Sequence, residues 1–300
     1  MVSHGAPGSA TAPHATVPDV PLVRRLIAAQ FPQWAELPVV PVDSHGTVNA
    51  IFRLGADMTV RLPYKEVGAS DAETEHRWLP YLAQRLPVSV PAPLAKGGPA
   101  EGYPWAWSVC GWLDGANPGP DNPVDPGAFA ADLAAFVTAL RRIDTTDGPP
   151  AYRSEPLASR DTATRDAIDS LHGDLDLHAT THVWEEALRA PAASGPPVWV
   201  HGDLQPGNVL AAQGRLSAVI DFGCMGLADP AVDLIAAWYL RPAGARETFR
   251  TAVAADDATW ARGRGWALSI ALMELSYYRE TNPFMATTAR HVIGELLDSR

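Results

Sequence analysis

Apolar residues run through VPLVRRLIAAQ with helical spacing and stop at Pro32, so a short amphipathic helix opens the ordered part of the chain. Three Val- and Ile-rich segments follow at 37–43, 48–55 and 58–63. Ser44, His45 and Gly46 separate the first two, and Gly55, Ala56 and Asp57 the next two, which predicts an antiparallel meander. A helix is expected over 70–86, with Ser70 as N-cap, Glu73 closing a capping box, and Trp78, Leu79, Leu82 and Leu86 on its apolar face. After a Pro- and Gly-rich stretch, WAWSVC (105–110) returns to strand character, and GWLDGANPGP reads as a linker. Helical patterns then dominate: 128–143, the segments RDTATRDAIDSLHG and HATTHVWEEALRA, and most of 229–300. VWV (198–200), NVLAA (208–212) and LSAVID (216–221) are short strands, the last two forming a hairpin around Gln213 and Gly214. The expected fold class is therefore α+β. A tail over 1–18 precedes a β-rich lobe over 19–110 and a larger, mainly helical lobe over 111–300.

Composition narrows the class. Three hundred residues, 47% hydrophobic and 19% charged, suffice for one large or two moderate globular domains. No apolar run is long enough for a membrane-spanning helix, and the N-terminal segment lacks the basic and apolar regions of a secretory signal. Two cysteines are too few for a disulfide framework, so the expected location is the cytoplasm. The net charge of −11 is unevenly placed. The first 110 residues hold 8 basic and 9 acidic groups; the remainder holds 15 and 25. That imbalance disfavours nucleic acid and suits a cationic small molecule, although solubility alone accounts for it equally well.

The tetrapeptide HGDL occurs twice, at 172–175 and 201–204. In the second copy, Asn208 follows Asp203 by five residues, and Asp221-Phe222-Gly223 begins thirteen residues later. The intervening hairpin carries Asn208 and Asp221 toward each other. Phosphoryl transfer needs a carboxylate to orient the attacking hydroxyl and take its proton, and hard oxygen ligands for Mg²⁺. Asp203 suits the first task, and Asn208 and Asp221 the second, in the order that protein kinases use. The first copy has Ala179 at the position matching Asn208 and no following DFG, so 172–175 reads as a helix end stopped by Gly173. A metal site built from His172, Asp174, Asp176 and His178 is the weaker alternative.

VHGDLQPGNVL together with SAVIDFGCMGLADPAVDLIAAW resembles the aminoglycoside phosphotransferase family, small-molecule kinases of protein-kinase-like fold. The likeness is most specific over 198–238 and extends through the order of elements over 37–300. It implies a two-lobed fold with Asp203 as catalytic base and Asn208 and Asp221 as Mg²⁺ ligands. It also implies ATP or GTP as co-substrate, and structural support of the catalytic loop by His201 and Asp233.

The sequence departs from the kinase pattern at the nucleotide end. The third strand carries Arg61 where a lysine is usual, with Glu75 as its expected helix partner and Glu73 as runner-up; Lys65 lies past Pro63. Arginine is a permanent cation whose fork suits phosphate oxygens. Ser44, Gly46 and Thr47 are expected to bring backbone N–H groups to the phosphates, and the backbone of Val109, Cys110 and Gly111 to edge the base. Trp105, Trp107 and Trp112 read as core or hinge packing. At the acceptor end, Glu274, Tyr278, Asp256 and Asp257 are the candidates for holding a cationic, hydroxylated aminoglycoside-like antibiotic. An apolar wall of Trp238, Tyr239, Trp260 and Trp266 would instead suit a macrolide-like acceptor. A metabolic amino alcohol or sugar fits the same catalytic residues. The unusual Arg61 also leaves open a non-catalytic nucleotide-binding protein.

Overall fold

The structure is a computed structural model describing residues 18–44, 46–240 and 243–298. The expected tail, apart from Pro18, and His45 of the expected phosphate loop lie outside the described residues. The chain divides into two compact units, Met1–Glu73 with Leu94–Cys110, and Thr74–Pro93 with Gly111–Arg300.

In the first unit, helix α1 (Val20–Gln30) starts where Asp19 accepts the Leu22 N–H at 2.8 Å. It buries Leu22, Val23, Leu26 and Ile27 on one face. Strands β1 (Val39–Pro41), β2 (Asn49–Leu54) and β3 (Met58–Pro63) form the meander, with Phe52 opposite Val60. Ala50, Phe52 and Leu54 alternate inward along β2, as a sheet with one buried face requires.

Helix α2 (Glu66–Ala83) begins four residues before the expected Ser70. Gly68 allows this, because a Cβ there would lie 2.9 Å from Val48 and 3.0 Å from Pro63. Tertiary packing of the first turn thus overrides the poor helix propensity of glycine. Glu73 closes no capping box; it pairs with Lys96 at 3.1 Å.

Two strands complete the sheet in the order β1-β2-β3-β5-β4, namely β4 (Pro93–Gly97) and β5 (Trp107–Gly111). The sequence pattern conceals β4 because Pro93 opens it and Gly97 closes it, and an edge strand tolerates both. Gly97 is required there: a Cβ would fall 2.0 Å from the Trp107 ring, which is wholly buried. Trp107 is core and Trp105 packs against that core, whereas Trp112 is half-buried and its indole donates to Asp114.

In the second unit, α3 (Pro126–Arg141), α4 (Asp161–Ser170) and α5 (Leu177–Arg189) occupy the expected helical segments. Asp125 and Asp176 cap α3 and α5. Gly173, at φ +93°, turns the chain after α4, so the first HGDL copy is a helix exit. No cluster of three His, Cys, Asp or Glu side chains occurs among the described residues.

Strand β6 (Val198–Val200) pairs with β9 (Gly226–Ala228), and β7 (Val209–Ala212) with β8 (Arg215–Val219). Gln213 and Gly214 both have positive φ, the signature of a tight hairpin turn. Helices α6 (Ala236–Tyr239), α7 (Arg246–Ala252), α8 (Asp257–Tyr278) and α9 (Pro283–Asp298) complete the unit. Trp184, Trp199, Trp238 and Trp266 are among its fully buried side chains. Among the described residues, no helix is long and apolar enough to cross a membrane.

Candidate active site

The second HGDL copy leaves β6 at Val200 and is pinned at once. Asp233, fully buried in the turn before α6, accepts the N–H of His201 on Oδ2 and that of Gly202 on Oδ1, each at 2.8 Å. Burial pushes its carboxyl up, while the two N–H donors and the Arg141 charge oppose that shift. His201 faces both ways: Nδ1 accepts the Asp203 N–H at 3.1 Å, and Nε2 lies 3.0 Å from the Ile220 carbonyl. A neutral ring with its hydrogen on Nε2 satisfies both contacts. Gly202 takes φ +84°, and a Cβ there would lie 2.6 Å from the Cys224 carbonyl oxygen, so only glycine fits.

This anchoring presents Asp203 with both carboxylate oxygens engaged. Asn208 Nδ2 donates to Oδ2 at 2.9 Å and to the Asp203 carbonyl at 2.8 Å. Oδ1 receives Gln205 Nε2 at 3.1 Å and lies 3.3 Å from Arg153 Nη1, which also donates to the Gly202 carbonyl. Gln205 Nε2 reaches on to Glu274 Oε1 at 2.6 Å, and the Tyr239 hydroxyl donates to Glu274 Oε2 at 2.8 Å. Burial and the nearby Asp203 charge raise the Glu274 carboxyl to about 7, against the opposing pull of Gln205, Tyr239 and Arg153. Burial lowers the Arg153 value, but Asp203, Cys224, Glu274 and Tyr239 outweigh it and hold the guanidinium charged.

The hairpin brings the remaining oxygens near. Asn208 precedes β7, Ile220 follows β8, and the Ile220 N–H donates to the Asn208 carbonyl at 2.9 Å. Asp221 is therefore one residue beyond the position opposite Asn208. It adopts a left-handed conformation, φ +62°, tolerated by a short polar side chain. Phe222 is buried edge-on against His201 at 4.6 Å. The Phe222 N–H donates to Glu75 Oε1 at 2.9 Å, and Glu75 is buried. Asn117 braces the same loop, donating to the carbonyls of Val209 at 2.8 Å and Gly207 at 3.1 Å.

The other expected residues are distributed as follows. Arg61 lies in β3 opposite Ile51, in the first unit. Ser44 Oγ accepts the Gly46 N–H at 3.0 Å in the connection from β1 to β2, which also holds Thr47. Val109 and Cys110 are buried in β5. The Gly111 N–H is already taken by the Ala92 carbonyl at 2.9 Å, which removes it as a donor to a base.

Glu274 joins Asp203, and Tyr278 follows one helical turn later on the same face, its ring 4.7 Å from exposed Tyr277. Asp256 and Asp257 do not join them. Asp256 caps the opposite end of α8, and Asp257 pairs there with Arg250. At 1.5 Å per residue they stand about 25 Å from Glu274. Trp238, Tyr239 and Trp266 are buried in the core, so they form no apolar acceptor wall.

Arg153 and Gln205 enter the site without having been singled out for it, and Tyr239, expected in an apolar acceptor wall, enters instead through its hydroxyl on Glu274. Only Gln205, two residues after Asp203, had a positional signal. Arg153 and Tyr239 arrive from distant segments through the fold.

The model of the phosphotransferase enzyme family matches residues 39–266. Among solved structures, the GDP and kanamycin complex of APH(2")-IIia superposes with a TM-score of 0.73 at 18% identity, covering 91% of this chain and 97% of that one. Macrolide 2'-phosphotransferase type I gives 0.61 at 19% identity, covering 89% and 94%. Macrolide 2'-phosphotransferase MphH from Brachybacterium faecium gives 0.59 at 21%, covering 93% and 98%. No curated protein matches in sequence. With its protein-kinase-like α+β fold and a family match spanning β1 to α8, the chain belongs to the phosphotransferase enzyme family.

Proposed function

We propose that this protein transfers the γ-phosphoryl group of ATP or GTP to a hydroxyl of a small molecule. The observation that carries the reading is Asp203 held on the His201–Asp233 anchor, with Asn208 on its carboxylate and Asp221 at the end of the same hairpin. In this reading the acceptor hydroxyl approaches Asp203, which takes its proton as the oxygen bonds to the γ-phosphorus. The bond to the bridging oxygen breaks, and the nucleoside diphosphate leaves. Because Asn208 spends Nδ2 on Asp203, its Oδ1 is the atom proposed as a hard donor, with Asp221 one residue past the Ile220 N–H that bonds the Asn208 carbonyl. Asn208 and Asp221 would hold Mg²⁺, a hard cation suited to one or two protein oxygens. When bound, Mg²⁺ would shield the phosphate charge. Arg61, the backbone of Ser44, Gly46 and Thr47, and the C-terminal end of β5 at Val109 and Cys110 are proposed for the nucleotide. Residues 19–110 would form the nucleotide lobe and 111–300 the catalytic one. Glu75, through Phe222, steadies the segment that carries Asp221.

The acceptor we place first is an aminoglycoside-like antibiotic, on the likeness to APH(2")-IIia, whose structure holds kanamycin. Glu274 and Tyr278 would be its contacts, and inactivation of the antibiotic the outcome. The cytoplasm is the proposed location. One observation favours a second reading with a less cationic, macrolide-like acceptor: Arg153 compensates the Asp203 charge at 3.3 Å, and Glu274 is already engaged by Gln205 and Tyr239. A panel of both antibiotic classes, incubated with Mg²⁺ and either nucleotide and read by mass spectrometry, separates the two. A phosphorylated aminoglycoside supports the first reading, a phosphorylated macrolide the second, and a wholly unmodified panel removes both.

A further inference from the structure

At the far end of α8 from Glu274, helices α5, α6, α7 and α8 line a groove open to solvent, of about 540 Å³. Its wall includes Trp238, Trp260, Arg246, Arg250, Arg264 and Glu186. The volume is that of a small-molecule site. Along α8, Trp260 stands about 21 Å from Glu274, at 1.5 Å per residue, so this is a different place from the Asp203 cluster.

The chemistry of the wall is cationic and aromatic. The Trp238 and Trp260 rings pack 4.8 Å apart. Arg250 lies over Trp260 at 5.3 Å and Arg246 over Trp238 at 5.8 Å. The chain has only 23 basic residues against 34 acidic ones, so four guanidiniums against two carboxylates on one wall, with Arg189 and Asp257 counted, run against its overall charge. They are unequally compensated. Glu295 holds Arg246 at 2.7 Å, and Glu186 with the Leu296 carbonyl holds Arg264. Arg250 has, among the described residues, a single carboxylate, that of fully exposed Asp257. Such a solvated ion pair is weak and readily exchanged. Burial and the neighbouring Arg246 charge both pull Arg264 below the usual arginine value, so the two cations feel one another. Trp238 Nε1 is a buried donor with no hydrogen-bond partner among the described residues.

We infer that this groove binds a small planar anion, a carboxylate or phosphate monoester on an aromatic body. Its charged group meets Arg250 and the Arg246–Arg264 pair, and its ring lies against Trp260. The guanidinium fork matches both carboxylate and phosphate geometry, and the indole faces supply stacking area.

The test is titration of the full chain with phenyl phosphate and with benzoate, followed by ligand-detected NMR and tryptophan fluorescence, with Mg-ATP present to fill the nucleotide site. Benzylamine serves as a cation of the same shape. The expected result is saturable binding of at least one anion, with a Kd of about 1 mM or tighter, and none of benzylamine. Arg250→Gln should weaken it about tenfold or more. Ala261→Phe, which fills the groove from a partly exposed position without altering a charge, should abolish it. Either variant suffices if the other does not fold. Three results would overturn the inference: no saturation of the wild-type chain by either anion, binding unchanged in both folded variants, or binding that occurs only when Mg-ATP is left out.

Discussion

Asp203 has no idle carboxylate oxygen: Oδ2 takes Asn208, and Oδ1 takes Gln205 and Arg153. A base held this way is oriented before any acceptor arrives, and it exchanges one of these contacts for the acceptor hydroxyl. Asp203→Asn keeps the shape and removes the proton acceptor. A positioned base contributes about 10²- to 10⁴-fold, so kcat should fall by that factor while nucleotide affinity is preserved. Steady-state kinetics beside a nucleotide titration check this. Glu274 gives a second prediction. Its folded value, about 7, lies above the ordinary 4.5, so the folded state holds the extra proton between those values. The stability contributed is therefore full below pH 4.5 and lost as pH rises through about 7. Glu274→Gln carries no such penalty. From pH 5 to pH 8 its stability relative to wild type should improve, by up to about 3 kcal/mol. Denaturant melts at the two pH values measure it, and a pH-independent difference would mean that the carboxyl does not titrate in this range. Asp203, Asn208 and Asp221 were legible in the sequence because their spacing along one loop and hairpin is itself the signal. Arg153 was not, and Tyr239 was expected only as an apolar wall, since the two meet Asp203 and Glu274 only through tertiary folding.

The catalytic-loop anchor is a property of elements. Asp233 joins the turn before α6 to the exit of β6 through two buried N–H groups. Asp233→Ala leaves both unsatisfied, at a cost of about 2–5 kcal/mol, and should remove activity together with stability. Gly202→Ala forces a Cβ against the Cys224 carbonyl at a positive φ, so its melting temperature should fall as well. Chemical denaturation of each variant checks both effects. The β7–β8 hairpin was readable because Gln213-Gly214 separates two Val- and Ala-containing runs, and the meander because glycine and polar turns separate its strands. Helix α2 and strand β4 were misread for one reason: in each, packing against a neighbour decides the conformation. Gly68 lets the helix start early against Val48 and Pro63, and Gly97 makes room for Trp107 within a segment that reads as loop. The strand β9 escaped because GLA has no pattern of its own and is defined by pairing with β6.

For the whole molecule, the net charge of −11 set an expectation of an acidic acceptor site, and the structure disperses that charge. Asp256 and Asp257 cap and pair at one end of α8, Glu274 turns inward at the other, and Arg153 offsets Asp203. Net charge describes a surface and says little about a site. If Asn208 and Asp221 hold Mg²⁺ with nucleotide, saturating Mg-ATP or Mg-GTP should raise the melting temperature. At about 100 times Kd the gain is about 2.7 kcal/mol, or roughly 5–10 °C. Asp221→Asn or removal of Mg²⁺ should abolish the shift, as differential scanning fluorimetry would read. The central claim, that this chain moves a phosphoryl group through Asp203, is tested most directly by mass spectrometry of aminoglycosides and macrolides incubated with the protein, Mg²⁺ and nucleotide. A phosphorylated product formed by the wild-type chain and absent with Asp203→Asn is the predicted result. Product formed equally by both proteins would contradict the role of Asp203, and a Mg-nucleotide complex that modifies no hydroxyl compound would contradict the phosphotransfer itself.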